Sequence, residues 1–484
     1  MSTSTLPAPA RSLVAVVGFL ACVELASGIL QGYYTPIFTD LARHLSIKDA
    51  DVNWFEAAQL VVSALVVPPL ARLGDLIGHR RVLLLATLVT AIGSWVMALA
   101  PNFGTFLVGA ALQGAYVVWL PLEVAIIHRR TSGTSRRDVL TRRASAALVA
   151  TLELAVIIGA LASGALVESL SMTTVLAIPA VVVTLCLVAI WVGVESAPGS
   201  SEGTFDWPGL AVLTLAVGLV MGGLIAMRLS GPSAVLPWVL IVLGVLVLVP
   251  FGRIELGRTH PLVDVRLLGT ASQWPLQVTA FLFGISILGA QIPLSTYLRS
   301  DPDVAGYGFG LSAGSTSIRI GLYVISLLAG ALLYPPVARR FGVRPALILA
   351  TLLVALGYAG WLPFHDSRLL TIVVMMVAGA GSGALVAALP SAAAAVSPAD
   401  RVGFATGMTN GFKTLGGAVA SAVFAICLAS TGTLGDPTYG HAPLSGYLAV
   451  WSICSATALV AALALLLNRT SSGTARTDRE ALAG

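Results

Sequence analysis

The chain has 484 residues, 57% of them hydrophobic and only 10% charged, with a formal net charge of +5. A mean hydropathy of +0.92 excludes a water-soluble globular protein, which could not hide so much apolar surface. The basic excess is not a nucleic-acid signal, because the arginines fall between apolar runs rather than on one soluble face.

Apolar runs of about twenty residues recur along the chain, each long enough to cross a bilayer as a helix. They are continuous rather than alternating, which excludes spanning strands. The runs predict fourteen helices, at 13–38, 51–71, 81–100, 104–128, 145–168, 172–195, 207–228, 234–252, 273–298, 313–337, 344–362, 369–393, 404–430 and 446–468. The first follows a single basic residue, Arg11, and is too long for a signal-peptide core, so it reads as an uncleaved helix. An even number puts both termini on one side. With that side cytoplasmic, the inside segments hold about twenty Lys and Arg and the outside ones about five, which fixes the orientation by the positive-inside rule. The six arginines at 129–143 read as part of that inside charge. Lys48 and Lys413 are the only lysines, a bias that fits a GC-rich bacterial genome.

Cys22, Cys186, Cys427 and Cys454 all lie in apolar runs without a C-x-x-C pair, and the six histidines are scattered near helix ends. The sequence therefore predicts no disulfide framework, no metal site and no cofactor.

Between the second and third runs lies Ala71-Arg72-Leu73-Gly74-Asp75-Leu76-Ile77-Gly78-His79-Arg80-Arg81, read as a tight turn at the membrane face. Gly74 and Gly78 permit close approach and reversal. The stretch from Gly78 to Leu88 aligns without gaps on Gly342 to Leu352, so the chain is duplicated. If each half has six helices, two are left over in the middle, giving six plus two plus six. Arg339 stands where the first copy has Asp75. The corresponding domains are 1–195, 196–272 for the two extra helices, 273–468, and a tail at 469–484.

The 71–81 stretch resembles the loop motif of the major facilitator superfamily, with Ala71 at its first Gly and Leu76 at its first basic position. Thr204 to Gly209, His260 to Leu268 and Gly403 to Gly417 resemble the linkers and the thirteenth helix of that superfamily's fourteen-helix drug:proton antiporter branch. The resemblance implies an all-α integral membrane protein with two pseudo-twofold halves around a central cavity. It also implies a non-enzymatic, monomeric transporter, and no catalytic constellation such as H-E-x-x-H or G-x-S-x-G speaks for an enzyme. Three of the branch's residues are replaced: Ala110 stands for the Arg of the fourth helix and Ser27 for the Asp of the first. In the fifth helix Gly159-Ala160-Leu161-Ala162-Ser163-Gly164 lacks the usual Pro.

With those gone, Glu24 and Glu153 are the candidate proton-coupling groups, because a bare carboxylate at helix centre costs several kcal/mol. Arg319 and Lys413 are possible cationic partners. The helices that line the cavity in this superfamily carry Gln31, Tyr33, Tyr34, Gln113, Trp119, Glu123, Gln277 and Gln291, a mix suited to an amphipathic or lipophilic substrate. Gly74, Asp75, Gly78, Arg80, Arg81, Arg344 and Lys413 are read as a cytoplasmic gate, Asp75 facing the positive N-terminus of the thirteenth helix. The expected function is export of bulky drugs or antibiotics across the plasma membrane in exchange for protons, by alternating access. A lipid or secondary-metabolite exporter with atypical coupling and a transport-dead sensor are the alternatives.

Overall fold

The structure, a computed structural model, describes residues 13–130, 137–195, 206–258, 261–398, 401–429 and 440–467. Among these, fourteen helices are long and apolar enough to cross a membrane. The first half comprises α1 (Leu13–Tyr33), α2 (Asn53–Ile77), α3 (His79–Ala98), α4, α5 (Arg137–Leu166) and α6 (Met172–Gly193). α4 is Phe103–Gln113 and Trp119–Arg130 joined by a 3-10 segment, Gly114–Val118. The extra pair is α7 (Trp207–Ser230) and α8 (Val235–Gly257). The second half comprises α9, α10 (Ala313–Phe341), α11 (Val343–Phe364), α12 (Arg368–Ala395), α13 (Val402–Cys427) and α14 (Leu444–Leu467). α9 is split into Trp274–Ile287 and Gln291–Arg299, and α1 likewise runs on, through a 3-10 turn at Thr35–Ile37, into Phe38–His44. The first helix of each half is thus broken near the same end, at Pro36 in one, where the ring removes a backbone donor.

Two helix ends differ from the sequence expectation. α5 starts at Arg137 rather than 145, because a hydrogen-bonded helix continues beyond the apolar stretch that marks the bilayer. α2 runs to Ile77, so Gly74 and Asp75 stand in its last turn and the reversal is made at Gly78 alone, whose φ is 100°. Gly342 makes the same reversal between α10 and α11 with φ 92°. Both angles lie where a side chain is strained, which explains why this glycine recurs in the repeat.

Each half has its own core. The first is built on Leu20, Val23, Phe106, Trp119 and Ile190, the second on Phe283, Tyr297, Trp361, Tyr447 and Trp451. The rings of Trp361 and Trp451 lie 4.5 Å apart and Tyr297 meets both edge-on. The halves meet along two seams. In one, α5 crosses α10 so closely that a methyl on Gly164 would lie 2.8 Å from the Ala313 carbonyl and collide with Ser317. In the other, α2 packs on α13, and α7 closes this seam from the side with Val217, Met221 and Leu224 against Trp54, Ala57, Ala422 and Ala425. α8 lies outermost; Leu236, Val239, Val242, Leu246 and Val249 on it are exposed, as a lipid-facing helix requires.

Candidate functional site

The structure brings Glu24 of α1 and Glu123 of α4 together. Both are completely buried, and each carboxyl interacts with the other. None of their four oxygens has a further hydrogen-bond partner among the described residues. The site follows from the break in α4. Gly114 sits against the backbone of Gln59, where a side chain has no room, and Ser63 donates to the Gly114 carbonyl at 2.7 Å. The 3-10 segment that results re-aims the following turn, burying Trp119 with its indole N–H unpartnered and Glu123 one turn further on. Cys186 of α6 borders the pair. Two carboxylates in one dry pocket repel; a single proton between them removes the repulsion and supplies the missing hydrogen bond. Glu123 was read from the sequence as a substrate contact. That its carboxyl meets Glu24 is a three-dimensional fact that helical spacing could not show.

The same helices, α1 and α4, also carry a network of neutral polar groups. Gln113 donates to the Tyr34 hydroxyl at 3.1 Å and to Ser94 at 2.9 Å, and Gln59 donates to Gln113 at 3.1 Å. Gln31 donates to Ser27 at 3.2 Å, so the position where the branch has an acid is bonded to a neutral amide. The other cavity candidates are used elsewhere. Tyr33 turns into the first half and donates to the Val175 carbonyl at 2.9 Å. Gln277 ties α9 to α13 through Thr409 at 3.2 Å. Gln291 accepts from Thr35 at 3.3 Å and belongs to the contact between the halves.

Glu153 does not join Glu24. It faces Lys413 of α13 and the two interact electrostatically, although no ion pair closes between them within 4 Å. Lys413 stands about three turns inside α13, with its backbone against Gly284 of α9. The sequence grouped Lys413 with Asp75 in a gate; the start of α13 at Val402, close to the predicted 404, sets it well inside the helix instead. Arg319 is no partner for these acids, since it lies over Phe309 near Arg368 at the far end of α10.

At that far face, opposite the arginine-rich one, the halves are latched. Arg299 at the end of α9 holds Asp40 with both guanidinium nitrogens, Nη2 to Oδ1 at 2.9 Å, and donates to the Pro36 carbonyl at 2.9 Å. Ser295 donates to the Thr35 carbonyl. The Asp49 carboxylate, before α2, lies 3.6 Å from the His441 ring, before α14, and Arg228 at the end of α7 pairs with Asp51 at 3.0 Å. The Asp49 carboxylate pushes the His441 imidazole above its usual range. Sequence reasoning passed over Asp40 and Arg299. A signal existed: opposite charges end the first helix of each repeat.

At the arginine-rich face the repeated arginines act within their own halves. Arg80 donates to the Trp191 carbonyl at the end of α6 at 2.7 Å. Its repeat partner Arg344 donates to Leu465 at 2.9 Å and to Leu466 at the end of α14. Each satisfies a helix C-terminus within its own half. Gly74 packs against Leu122 and His79 and Arg81 is exposed; the Asp75 side chain lies outside the described residues. The two linker motifs form one node. Asp206 caps α7 by accepting from Gly209 at 3.0 Å and lies 3.6 Å from Arg258. Glu255 accepts from Val263 at 3.0 Å, and Asp264 pairs with Arg401, ahead of α13, at 3.0 Å.

Comparison with known proteins agrees with this architecture. The family model of the Major Facilitator Superfamily matches residues 20–299 and 276–482. The chain is 25% identical over 419 residues to a uridine/deoxyuridine transporter of Lactococcus lactis subsp. cremoris, covering 84% of this chain and 85% of that one. It is 24% identical over 421 residues to a lincomycin resistance protein of Streptomyces lincolnensis, covering 86% and 85%. It is also 24% identical over 425 residues to a tetracenomycin C resistance and export protein of Streptomyces glaucescens, covering 87% and 76%. Among solved structures, a POT family peptide transporter superposes with a TM-score of 0.66 at 14% identity over 95% of this chain and 98% of that one. The nucleoside transporter NupG superposes with a TM-score of 0.63 at 14% identity over 96% and 100%. This chain belongs to the major facilitator superfamily and fits its fourteen-helix drug-exporter branch.

Proposed function

We propose that the protein exports lipophilic or amphipathic small molecules from the cytoplasm in exchange for protons, with the arginine-rich face cytoplasmic. The observation that carries the reading is the Glu24–Glu123 pair, buried in the first half with no ion-pair partner among the described residues. Such a pair binds a proton when sealed and releases it when one half opens to water, which is what coupling by alternating access requires. The relatives named for lincomycin resistance and for tetracenomycin C export support the substrate class. The aromatic and neutral lining around Tyr34, Gln113 and Trp119 suits it too. Lys413, which faces Glu153, is the positive group available to an acidic or polarised part of the substrate. The test is a proteoliposome assay with an imposed pH gradient and a lipophilic cation such as ethidium. Wild type concentrates ethidium against its gradient, while Glu24→Gln and Glu123→Gln lose gradient-driven transport. Gradient-driven transport by both variants at the wild-type rate would refute the assignment.

A second reading, nucleoside transport, is favoured by the Gln59–Gln113–Tyr34 network, whose amide groups match sugar and base edges, and by the uridine/deoxyuridine transporter among the relatives. Radiolabelled uridine in the same vesicles separates the two.

A further inference from the structure

Asp206 and Glu255 are two buried acids that the coupling scheme leaves unused. We propose that they hold one proton between them, and that this proton fastens the extra helix pair, α7 and α8, to the linker that enters the second half. This holds whatever the protein transports and whatever drives it.

Four oxygens define the site. One oxygen of each carboxyl is taken by a backbone amide. Gly209 donates to Asp206 Oδ1 at 3.0 Å, and Val263 donates to Glu255 Oε2 at 3.0 Å. The other two, Asp206 Oδ2 and Glu255 Oε1, are buried, and no donor reaches them among the described residues. They converge on one spot: a methyl on Gly209 would stand 2.7 Å from Asp206 Oδ2 and 2.3 Å from Glu255 Oε1. Gly209 thus leaves the space in which the acids meet. Asp206 is 7% exposed and Glu255 2%. Two ionised carboxyls so placed repel each other. A single proton turns the repulsion into a charge-assisted O–H···O⁻ hydrogen bond, roughly twice as strong as a neutral one.

The surrounding charges are engaged elsewhere. Arg258 Nε stands 3.6 Å from Asp206 Oδ1, the oxygen already held by Gly209, which is too far for a hydrogen bond. From the linker, Arg266 donates to the Leu256 carbonyl at 2.7 Å, and Asp264 pairs with Arg401 ahead of α13 at 3.0 Å. α13 itself presents Phe404 and Met408 to this corner. Arg253 is exposed, and His260 lies outside the described residues. A polar cavity of about 620 Å³, bordered by Glu255, Arg258, Asp264, Arg266 and Arg401, adjoins the pair and gives the proton a way to exchange with water at the arginine-rich face. Asp206 caps α7, Glu255 ends α8, and the Val263 amide directly precedes Asp264. The joined carboxyls therefore tie both extra helices to the linker and, through Arg401, to the start of α13. Low pH keeps the tie closed; rising pH removes the proton and opens it.

The experiment is hydrogen–deuterium exchange on the full chain in nanodiscs, from about pH 6 to about pH 9, corrected for the intrinsic pH dependence of exchange. Peptides covering 207–212 and 261–268 report the tie, and those of α11 report folding in every sample. Wild type is expected to lose protection in the two reporting segments by at least about tenfold as pH rises, the effect of one pK unit of interaction in a carboxyl pair. Glu255→Gln puts a permanent N–H donor where the shared proton stood; it is expected to keep the low-pH protection at every pH. Asp206→Asn, which supplies the donor from the other side, is expected to do the same. Wild-type protection that is flat across the range overturns the proposal. So does a Glu255→Gln chain that loses protection with pH as wild type does, since the titrating group is then elsewhere.

Discussion

The Asp40–Arg299 latch can be tested by its effect on the equilibrium between open and closed forms of the far face. The perturbation is Asp40→Asn, which removes the charge and leaves Arg299 in place. The Arg299 side chain is 8% exposed and that of Asp40 20%. Breaking a fully buried pair by removing one partner costs roughly 3–5 kcal/mol, and an exposed pair is worth about 0–1 kcal/mol. This pair lies between, so about 2 kcal/mol is a reasonable value for its loss. At 1.4 kcal/mol per factor of ten, the population open at the far face rises about thirtyfold. The assay is labelling of a Gln31→Cys reporter by a membrane-impermeant maleimide from that side, in a chain whose four native cysteines are replaced. Gln31 is exposed along α1, below the latch. Labelling should accelerate in Asp40→Asn, and the charge swap Asp40→Arg with Arg299→Asp should return it toward the parent rate. An unchanged labelling rate in Asp40→Asn would refute the idea that this pair holds the halves together.

Three further outcomes follow from the same geometry. The Asp49–His441 contact joins the halves through a titratable ring whose affinity for its proton is raised by the carboxylate it touches. Its stabilisation of the closed far face is complete below the ordinary imidazole value of about 6.5 and is lost as pH rises through the higher value of the closed state; Gln31→Cys labelling should thus be slower near pH 6 than near pH 8, and His441→Gln should flatten that dependence. Arg80→Ala and Arg344→Ala should each lower thermal stability by a similar amount, about 1–3 kcal/mol for a charge-assisted hydrogen bond, without altering substrate affinity. A change in substrate affinity with stability unchanged would refute this structural role. Gly164→Val should clash with Ser317 at the α5–α10 seam and lower both stability and turnover, measured by melting in detergent and by vesicle transport; Ser317→Ala in the same chain should recover part of each.

The fold was legible because bilayer-length apolar runs and a gapless internal repeat are one-dimensional signals. Fourteen spans, two extra helices and the repeated glycine turn can all be read along the chain. The roles of repeated side chains were less legible. Arg80 and Arg344 share a position in the repeat, and the sequence shows only that the position matters. Their acceptors, carbonyls at Trp191 and Leu465, lie more than a hundred residues away, and backbone acceptors leave no trace in side-chain identity. Lys413 was misplaced for a related reason. Its charge suggested a gate, although the predicted start at 404 and the observed one at Val402 both put it well inside the helix. Glu24 and Glu123 were visible as acids, but that they meet depends on the break in α4, and a 3-10 turn at Gly114 has no periodicity of its own.

The replacements at Ser27 and Ala110 gain a physical sense from the carboxyl pair. An acid of the first helix with an arginine of the fourth would form a site in which the cation favours the charged carboxylate, so that a proton must displace the arginine's hold. Here the first-helix acid sits one turn earlier, at Glu24, and the fourth-helix partner lies more than three turns later, at Glu123, where it is another acid. Such a site needs no cation to accept a proton, because the bound proton itself relieves the repulsion between the carboxyls. On the proposed coupling an arginine has no task at position 110, and Ala110 packs in the core. Restoring the old pair, Ser27→Asp with Ala110→Arg, in a Glu24→Gln, Glu123→Gln background tests this substitution of one coupling chemistry for another. Recovery of gradient-driven ethidium transport would show that the two arrangements are interchangeable. Failure to recover it, in a chain that still folds, would show that α1 and α4 are set in register for the acid–acid site alone.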